Sequence, residues 1–352
     1  MRAAAFGTAT GDVTGWDPSA EEAVNTVAVS GSRVLVGGAF SMLNGLPRAN
    51  AAAIRADGSV DPAWNPGPNG IVYALAASDD GNAIFLGGAF TAAGGSARSR
   101  LAAVDATGGA VLPSWTTGIS NNNTVRALAT SSGMLYVGGT FARIGGRDIR
   151  KLAALDQATG DVQLSFAPRP DGSVKALTVS RNGERVYAGG LFDNIGGAPR
   201  PGVAEVRSAD GAATSFAPTQ GGDGIAIALT PDGSRLFFSI SNNRTFAYDP
   251  GAANTPRYIV RMGGDVQAIA ATNTEVYIGA HFRNALDPTR PRRHLASFLV
   301  ADGSITDWIT NADGVMGVWT ITITPTALTI GGDFDKVRGK DQRGFARFQG
   351  TP

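Results

Sequence analysis

The stretch Tyr136-Val137-Gly138-Gly139-Thr140-Phe141 is an apolar run that ends in Gly-Gly-x-Phe, and it recurs along the chain. The same ending occurs at Phe40, Phe90, Phe192 and Phe334, and a degenerate copy ends at Phe282. Successive phenylalanines are separated by 50, 51, 51, 90 and 52 residues. The longest gap contains a seventh copy, Leu236–Asn242, which keeps the apolar run but lacks Gly-Gly-x-Phe. The chain therefore contains seven repeats of about 50 residues.

Each repeat divides into four short predicted strands, A to D. Strand A reads Val-x-Ala-Leu, as in Val72–Leu75, and strand B is the Gly-Gly-x-Phe run. Strand C reads Leu-Ala-Ala-apolar-Asp, as in Leu101–Asp105, and strand D ends in an aromatic residue. Asp-Gly, Asn-Gly and Thr-Gly turns separate the strands, and helical periodicity is missing. This pattern predicts an all-β fold, a β-propeller of four-stranded antiparallel blades.

We predict one seven-bladed β-propeller domain over residues 1–352. The predicted blades are residues 22–66, 70–116, 124–167, 173–217, 223–261, 265–309 and 314–350, the last joined by residues 1–18. Residues 2–18 look like strands C and D without A and B, so we expect an N-terminal strand around Asp12–Trp16 to close the last blade. In that blade strand A is predicted at Val315–Ile321. Two C-like segments, one in residues 2–18 and one at Phe345–Phe348, compete for the same place.

Composition excludes several classes of function. Thirty basic and 29 acidic residues give a net charge of +1, which argues against a nucleic-acid surface. Cysteine is missing, which excludes disulfides and thiolate metal sites. No apolar run is long enough to predict a membrane span. Met1–Phe6 lacks the long apolar region of a signal peptide, so either a cytoplasmic location or removal of a leader is compatible with the sequence.

Residues that recur in every repeat are interpreted as structural. We expect the Gly-Gly pair to mark a close approach between blades or a bulge, because a phosphate-binding glycine loop opens a helix. The aromatic residues that end strand D are expected to pack between blades, with carbohydrate stacking as the alternative: Trp64, Trp115, Phe166, Phe216 and Trp308. Recurrent arginines and aspartates are expected to cap turns or to pair within blades: Arg48, Arg147, Arg200, Asp105 and Asp156.

Ligand binding is expected where the repeat varies. The D–A and B–C connections are longer and more diverse than the A–B and C–D turns, so we predict that they form the ligand face. The x of Val-x-Ala-Leu is mixed and mostly polar, and is predicted to line the channel entrance: Asn25, Tyr73, Arg126, Lys175, Gln267 and Met316, with repeat 5 ambiguous near Ile225. Arg126 and Lys175, on adjacent blades, could form a positive site for an anion. The alternative is a solvated rim without a ligand.

The x of Gly-Gly-x-Phe also varies. His281 and Asp333 occupy it in neighbouring blades and could bind a metal or act as an acid–base pair, although two ligands alone do not make a convincing metal site. The alternative is a hydrogen-bonded rim histidine. His294, beside the Arg290–Arg293 loop, is expected to be solvated. Trp319 is placed on strand A where other repeats have alanine, and either plugs the channel or offers an aromatic wall.

Motifs of catalysis are missing. The sequence contains no Gly-x-Ser-x-Gly elbow, His-Glu-x-x-His pair or EF-hand loop, and only two histidines. The sequence therefore predicts no cofactor and no metal, and it does not define a reaction.

The full repeat resembles a known family. Phe-x-x-x-Gly-Gly-x-x-Arg, then Leu-Ala-Ala-apolar-Asp-x-x-Thr-Gly, then an aromatic-x-Pro, resembles the delta-60-repeat β-propellers, relatives of Kelch-type propellers. The resemblance covers nearly the whole chain and weakens from Ile225 to Arg261. It implies a secreted or cell-surface bacterial setting, with a cytoplasmic location left open, and it brings no catalytic residues.

We therefore predict a non-catalytic, monomeric binding module that recognises a glycan, a peptide or a partner protein on the D–A/B–C face. The alternative is a lyase or hydrolase at the same channel mouth, with a metal near His281 and Asp333. The candidate ligand-binding residues are Tyr73, Arg126, Lys175, Gln267, His281, Trp319 and Asp333.

Overall fold

The computed structural model describes residues 5–7, 19–120, 123–251, 254–282, 292–315 and 317–349. These residues form β-strands, bridges, turns and extended connections, and none of them is helical. Accordingly, this part of the chain holds no apolar helix of membrane-spanning length.

The strands are short and follow one another at the intervals that the repeat predicts. In chain order they are β1 (Ala5–Gly7), β2 (Val24–Ser30), β3 (Arg33–Gly38), β4 (Met42–Leu43), β5 (Leu46–Pro47), β6 (Ala51–Ile54), β7 (Val72–Ala77), β8 (Ala83–Gly88), β9 (Ala92–Ala93), β10 (Ser96–Ala97), β11 (Leu101–Asp105), β12 (Val125–Ser131), β13 (Met134–Gly139), β14 (Leu152–Asp156), β15 (Val174–Val179) and β16 (Arg185–Gly190). They continue with β17 (Asn194–Ile195), β18 (Ala198–Pro199), β19 (Val203–Arg207), β20 (Gly224–Leu229), β21 (Leu236–Ile240), β22 (Arg244–Tyr248), β23 (Tyr258–Arg261), β24 (Val266–Ala271), β25 (Glu275–Ala280), β26 (Leu295–Leu299), β27 (Val318–Thr324), β28 (Ala327–Gly332), β29 (Lys336–Val337), β30 (Lys340–Asp341) and β31 (Phe345–Gln349).

The longer strands form seven sheets within the described ranges. We number them sheet 1 (β2, β3, β6), sheet 2 (β7, β8, β11), sheet 3 (β12, β13, β14), sheet 4 (β15, β16, β19), sheet 5 (β20 to β23), sheet 6 (β24, β25, β26) and sheet 7 (β27, β28, β31, β1). The first three strands of each sheet run antiparallel in chain order and correspond to the predicted strands A, B and C. The degenerate seventh copy of the motif is confirmed as β21, and only three residues separate it from β22.

The outermost strand differs from the prediction of four full strands. In five sheets, segment D meets strand C through a single bridge, as in Ile54 with Val60 and Val104 with Val111. In four of these sheets an arginine side chain also binds a carbonyl of the outer segment, so that segment is held partly by side-chain hydrogen bonds. Sheet 5 has a full fourth strand, β23.

The arginines that perform this role are Arg48, Arg98, Arg200 and Arg292, which donate to the carbonyls of Asp61, Leu112, Thr214 and Thr306 respectively. Pairing within the sheet is thus confirmed for Arg48 and Arg200. Arg147 was grouped with them wrongly, because it lies inside the tight turn of its connection and is exposed. Asp105 and Asp156 cap their turns as predicted, each accepting two backbone N–H bonds.

Both ends of the chain meet in sheet 7. β31 pairs antiparallel with β28, so Phe345–Gln349 takes the place of strand C. Ala5–Gly7 pairs with the outer side of β31, and this pairing is parallel, unlike the antiparallel blade that we predicted. The expected strand around Asp12–Trp16 lies outside the described residues. Strand A of this sheet begins at Val318, later than the predicted Val315.

The aromatic residues that end segment D pack between sheets, as predicted. Trp115 is buried with its ring centroid 5.6 Å from that of Phe85, and its cluster includes residues of sheets 2 and 3. The ring centroid of Phe166 likewise lies 5.4 Å from that of Tyr136. Because Trp64 and Trp115 have no exposed surface, they cannot stack on a carbohydrate.

The first strands of the sheets pack side by side in succession. β2 packs against β7, β7 against β12, and so on through β15, β20, β24 and β27, and β27 also packs against β2. The first glycine of Gly-Gly lies at six of these seven contacts. A Cβ on Gly37, Gly87, Gly138, Gly279 or Gly331 would stand 2.4 to 2.7 Å from Cγ1 of the first valine of a neighbouring sheet. The predicted close approach is confirmed.

The contact between sheets 4 and 5 reverses this arrangement. Gly224 replaces the valine, and a Cβ on Gly189 would meet nothing nearer than 3.6 Å. In sheet 5, Ser239 stands where the other sheets have the first glycine, and its hydroxyl donates to the carbonyl of Val266 at 2.8 Å. The small residue can therefore lie on either side of the contact.

We expect Gly138→Ala to destabilise the protein by about 1–3 kcal/mol, because the new methyl overpacks against Val174, 2.7 Å away. Gly189→Ala is the matched control at the same register position, where we expect a change of less than about 1 kcal/mol. Urea unfolding followed by tryptophan fluorescence measures both. Equal losses in the two variants would contradict the assignment of the valine contact.

Candidate ligand-binding site

A β-bulge at the start of strand A builds the site. In every sheet the pairing of the first two strands shifts by one residue there, for example between Val125 and Ala127 in sheet 3. In five sheets the second glycine of Gly-Gly leaves room for the shift, since a Cβ on Gly139 would stand 2.1 Å from the carbonyl oxygen of Thr124, whereas sheets 5 and 6 form the same bulge with Ile240 and Ala280 at that position. The residue inside the bulge has no partner on strand B. The bulge predicted as an alternative to the close approach is therefore also present.

The seven bulge residues differ in size, charge and polarity. They are Asn25, Tyr73, Arg126, Lys175, Ile225, Gln267 and Trp319. Our placement of Met316 in this set was wrong. Val318 pairs with Gly332 as Val24 pairs with Gly38, so Trp319 is the seventh bulge residue. Met316 itself lies outside the described residues.

All seven line one cavity of about 750 Å³. A second set of residues, from the ends of strand B and the D–A connections, completes the wall: Thr140, Ser173, Leu191, Asp223, Ser241 and Asp265. Five of the seven predicted candidates therefore share one cavity on the D–A/B–C face: Tyr73, Arg126, Lys175, Gln267 and Trp319. Its volume is in the range of small-molecule sites.

Arg126 is the cation with the most free hydrogen-bonding capacity in this wall. Its guanidinium carbon lies 4.2 Å above the ring of Tyr73, a cation–π contact, and its Nε donates to Thr124 Oγ1 at 3.1 Å. Within the described residues Arg126 forms no ion pair with a carboxylate. Its terminal nitrogens can therefore bind an anionic group while the aromatic ring holds the guanidinium plane.

The positive charge of Lys175 is partly compensated by Asp223. Its Nζ lies 3.8 Å from Asp223 Oδ2, and because both side chains are more than one third exposed, this ion pair contributes little stability. Asp265 adds a second carboxylate to the wall. The predicted positive site therefore narrows to Arg126. Sequence reasoning missed both aspartates, although their position directly before strand A in sheets 5 and 6 was a usable signal.

His281 and Asp333 are not among the residues that line this cavity. Asp333 Oδ1 accepts the N–H of Gly317 at 2.8 Å and so caps the D–A connection of sheet 7. His281 Nδ1 is buried and makes no hydrogen bond to a described residue, which differs from the hydrogen-bonded histidine we expected. Across the described ranges, no three His, Asp or Glu side chains are arranged to hold a metal.

His294 is fully buried, so our expectation of a solvated side chain was wrong. It has a positive φ of 62°, and its Nδ1 lies 3.0 Å from the carbonyl oxygen of Asp313. Because a carbonyl only accepts, Nδ1 carries the proton. Burial lowers the pKa of His294, whereas the bond to Asp313 and the charge of Asp333 act in the opposite direction. His294 therefore stays neutral and ties sheet 6 to the connection that leads to sheet 7.

The position of His294 recurs. The residue before strand C has a positive φ in sheet 1 at Asn50 (58°) and in sheet 2 at Arg100 (65°). Asn50 donates to the carbonyl of Pro68 at 2.9 Å, and Arg100 to that of Asn123 at 3.2 Å. In these sheets, one side chain thus bridges to the next D–A connection and helps to hold it in place.

The succession of antiparallel sheets around one cavity defines an all-β propeller, and comparison with known proteins agrees. A family model described as a domain of unknown function (DUF5122) beta-propeller matches residues 32–63, from strand B to segment D of sheet 1. Among 1487 matching chains of solved structures is the WD40 beta propeller domain of Doa1, with a TM-score of 0.63, 12% identity and 96% of each chain covered. At that identity the likeness concerns the fold alone. No curated protein matches the sequence.

We expect the protein to lose stability as the pH falls below about 6.5, the ordinary pKa of histidine. Below that value the unfolded chain binds a proton that buried His294 does not, so the free energy of unfolding decreases by up to about 1.4 kcal/mol per pH unit. His294→Asn should remove this component, because asparagine can adopt the same φ and donate the same bond, as Asn50 does. The free energy of unfolding, measured with urea at intervals of about half a pH unit between about pH 4.5 and 8, tests this prediction. Identical pH slopes for the two proteins would contradict the assignment.

Proposed function

We propose that this propeller is a non-catalytic binding module that recognises a glycan, a peptide or a partner protein at the cavity formed by the bulge residues. The observation that carries the proposal is the contrast between neighbours in each bulge. The first residue is a buried valine in six sheets and glycine in the other, whereas the next residue is different in all seven. A position that served packing alone would repeat as the valine does.

The chemistry of the wall favours a ligand with an apolar face and an anionic group. Tyr73 and Trp319 offer aromatic surface, which suits sugar rings and apolar side chains. Arg126 suits a carboxylate, and Gln267, Asp223 and Asp265 can accept from hydroxyl or amide groups. An acidic glycan or an acidic peptide segment satisfies all of these groups.

The proposal includes the larger assembly. We propose that residues 1–352 form one monomeric domain of seven blades, with the Ala5–Gly7 strand completing the last blade. Support comes from the pairing of β1 with β31 and the packing of β27 against β2. We also propose membership of the delta-60-repeat, Kelch-like propellers and a secreted or cell-surface location, on the strength of the repeat itself. We do not propose the lyase or hydrolase alternative, since His281 and Asp333 lie outside the cavity wall.

We expect Arg126→Ala to weaken binding of acidic glycans or peptides by about tenfold or more, because it removes a charge-assisted hydrogen bond and a cation–π contact. Trp319→Ala should lower the affinity for neutral and acidic ligands alike, because it removes aromatic surface on which a ligand can stack. Glycan arrays and peptide arrays identify the ligand, and calorimetry measures its affinity for each variant.

Arg207→Ala is the control, since it removes an exposed arginine near a C–D turn, at the opposite end of the strands. The proposed site would be contradicted if the array profiles were the same for the wild-type protein and for Arg126→Ala, Lys175→Ala and Trp319→Ala.

A further inference from the structure

A second cavity, of about 640 Å³, lies between sheets 4 and 5 at the opposite end of the strands. Its rim is made by the A–B turns of both sheets and by the turn after β22, around Arg181, Asp232 and Pro250. Leu229 and Tyr187 supply an apolar wall, and Glu205 lies against the cavity from strand C of sheet 4. It shares no lining residue with the site formed by the bulge residues.

Glu205 breaks the repeat. It pairs with Tyr187, and the equivalent strand C position holds alanine in four other sheets: Ala53, Ala103, Ala154 and Ala247. Strand C of sheet 4 therefore has a carboxylate where the fold needs only a methyl group. Since the alanine sheets form the same ladder, Glu205 is not required for the strand pairing.

The carboxylate of Glu205 is only half satisfied. The residue is 2% exposed. Oε1 lies 3.3 Å from Arg185 Nε, whereas Oε2 is buried and makes no hydrogen bond to a described residue. A buried carboxylate oxygen without a donor is costly, so a donor from a ligand would be bound strongly for its size. Burial, the charge of Glu205 and hydrogen bonding to its carboxylate raise the pKa of Tyr187, so the hydroxyl beside this carboxylate stays protonated. It makes no hydrogen bond of good geometry to Oε2.

The charges around the cavity favour a cationic donor. The wall contains three carboxylates, Glu184, Glu205 and Asp232, and two guanidiniums, Arg181 and Arg185, a formal balance of −1. Hydrogen bonds from Thr230 and Ser234 lower the pKa of Asp232, which keeps this rim carboxylate ionised. A group with a positive head and an aliphatic stem matches both the carboxylate at the wall and the apolar surface of Leu229 and Tyr187.

We infer that the cleft between sheets 4 and 5 is a binding site for a lysine side chain of a peptide partner, with its ammonium group on Glu205 Oε2. The lysine stem lies along Leu229 and Tyr187. This site is independent of the bulge-residue cavity, and its ligand has the opposite charge.

Titration with N-acetyl-lysine methylamide, followed by protein NMR, tests the inference directly. We expect saturable shifts at the amides of the cleft, with a dissociation constant on the order of millimolar for this single contact. The norleucine analogue and the Nε-acetylated compound keep the stem and lose the charge, and should bind about tenfold more weakly.

The matched variant is Glu205→Ala, which installs the residue of the four other sheets. We expect it to fold with an unchanged or higher thermal midpoint, because a half-satisfied buried carboxylate is removed, and to lose lysine binding by about tenfold or more. Glu205→Gln keeps the shape and provides the same comparison if the alanine variant does not fold. Glu184→Gln removes an exposed rim charge and should change the affinity less than about threefold.

Two results would overturn the inference. One is equal binding of the lysine and norleucine compounds, or no binding of either. The other is unchanged lysine binding in Glu205→Ala or Glu205→Gln, which would assign Glu205 to the ion pair with Arg185 alone.

Discussion

The whole structure depends on one steric constraint, the distance between strand B of one sheet and strand A of a neighbouring sheet. At five of these contacts a valine side chain fills that space and leaves no room for a Cβ on the glycine opposite it. Between sheets 4 and 5, glycine at position 224 relieves the same crowding from the other side. Because the contact consists of backbone and one small side chain, successive sheets pack closely without needing a large apolar residue at the centre.

This constraint separates the residues that build the fold from those that line the cavity. In five sheets the second glycine lies against a carbonyl oxygen beside the bulge, and in all seven sheets the bulge places one residue on the wall of the cavity. Valine and the two glycines are fixed by packing, whereas the bulge residue lies on the cavity wall beside its lateral neighbours. Arg126 over Tyr73 is such a lateral contact, formed between adjacent sheets.

The repeat predicted much of this from residues alone. Gly-Gly-x-Phe located strands A to C, the steric role of the glycines and the face that carries the cavity. It could not place Trp319, because Val315-Met316 and Val318-Trp319 both fit the Val-x pattern and only the pairing with Gly332 distinguishes them. It failed at His294, because the side chain is buried against the D–A connection of sheet 7, where it bonds the carbonyl of Asp313, and no local motif predicts that contact. It also missed Glu205, because a single substitution in strand C is not a signal by itself. Only the structure shows that one oxygen of this carboxylate is unsatisfied and that the residue lines a cleft.

The β-bulge has a consequence for how such a chain can change over evolution. A residue without a partner on the neighbouring strand can be exchanged without breaking a strand-pairing hydrogen bond. Substitutions there can therefore change the chemistry of the cavity wall with little effect on the stability of the sheets. Seven codons, one in each repeat, can vary while the rest of each repeat is kept. Duplication of a single repeat would thus supply at once sheets that pack against one another and a set of variable positions on the cavity wall, which makes these positions convenient for engineering new specificity.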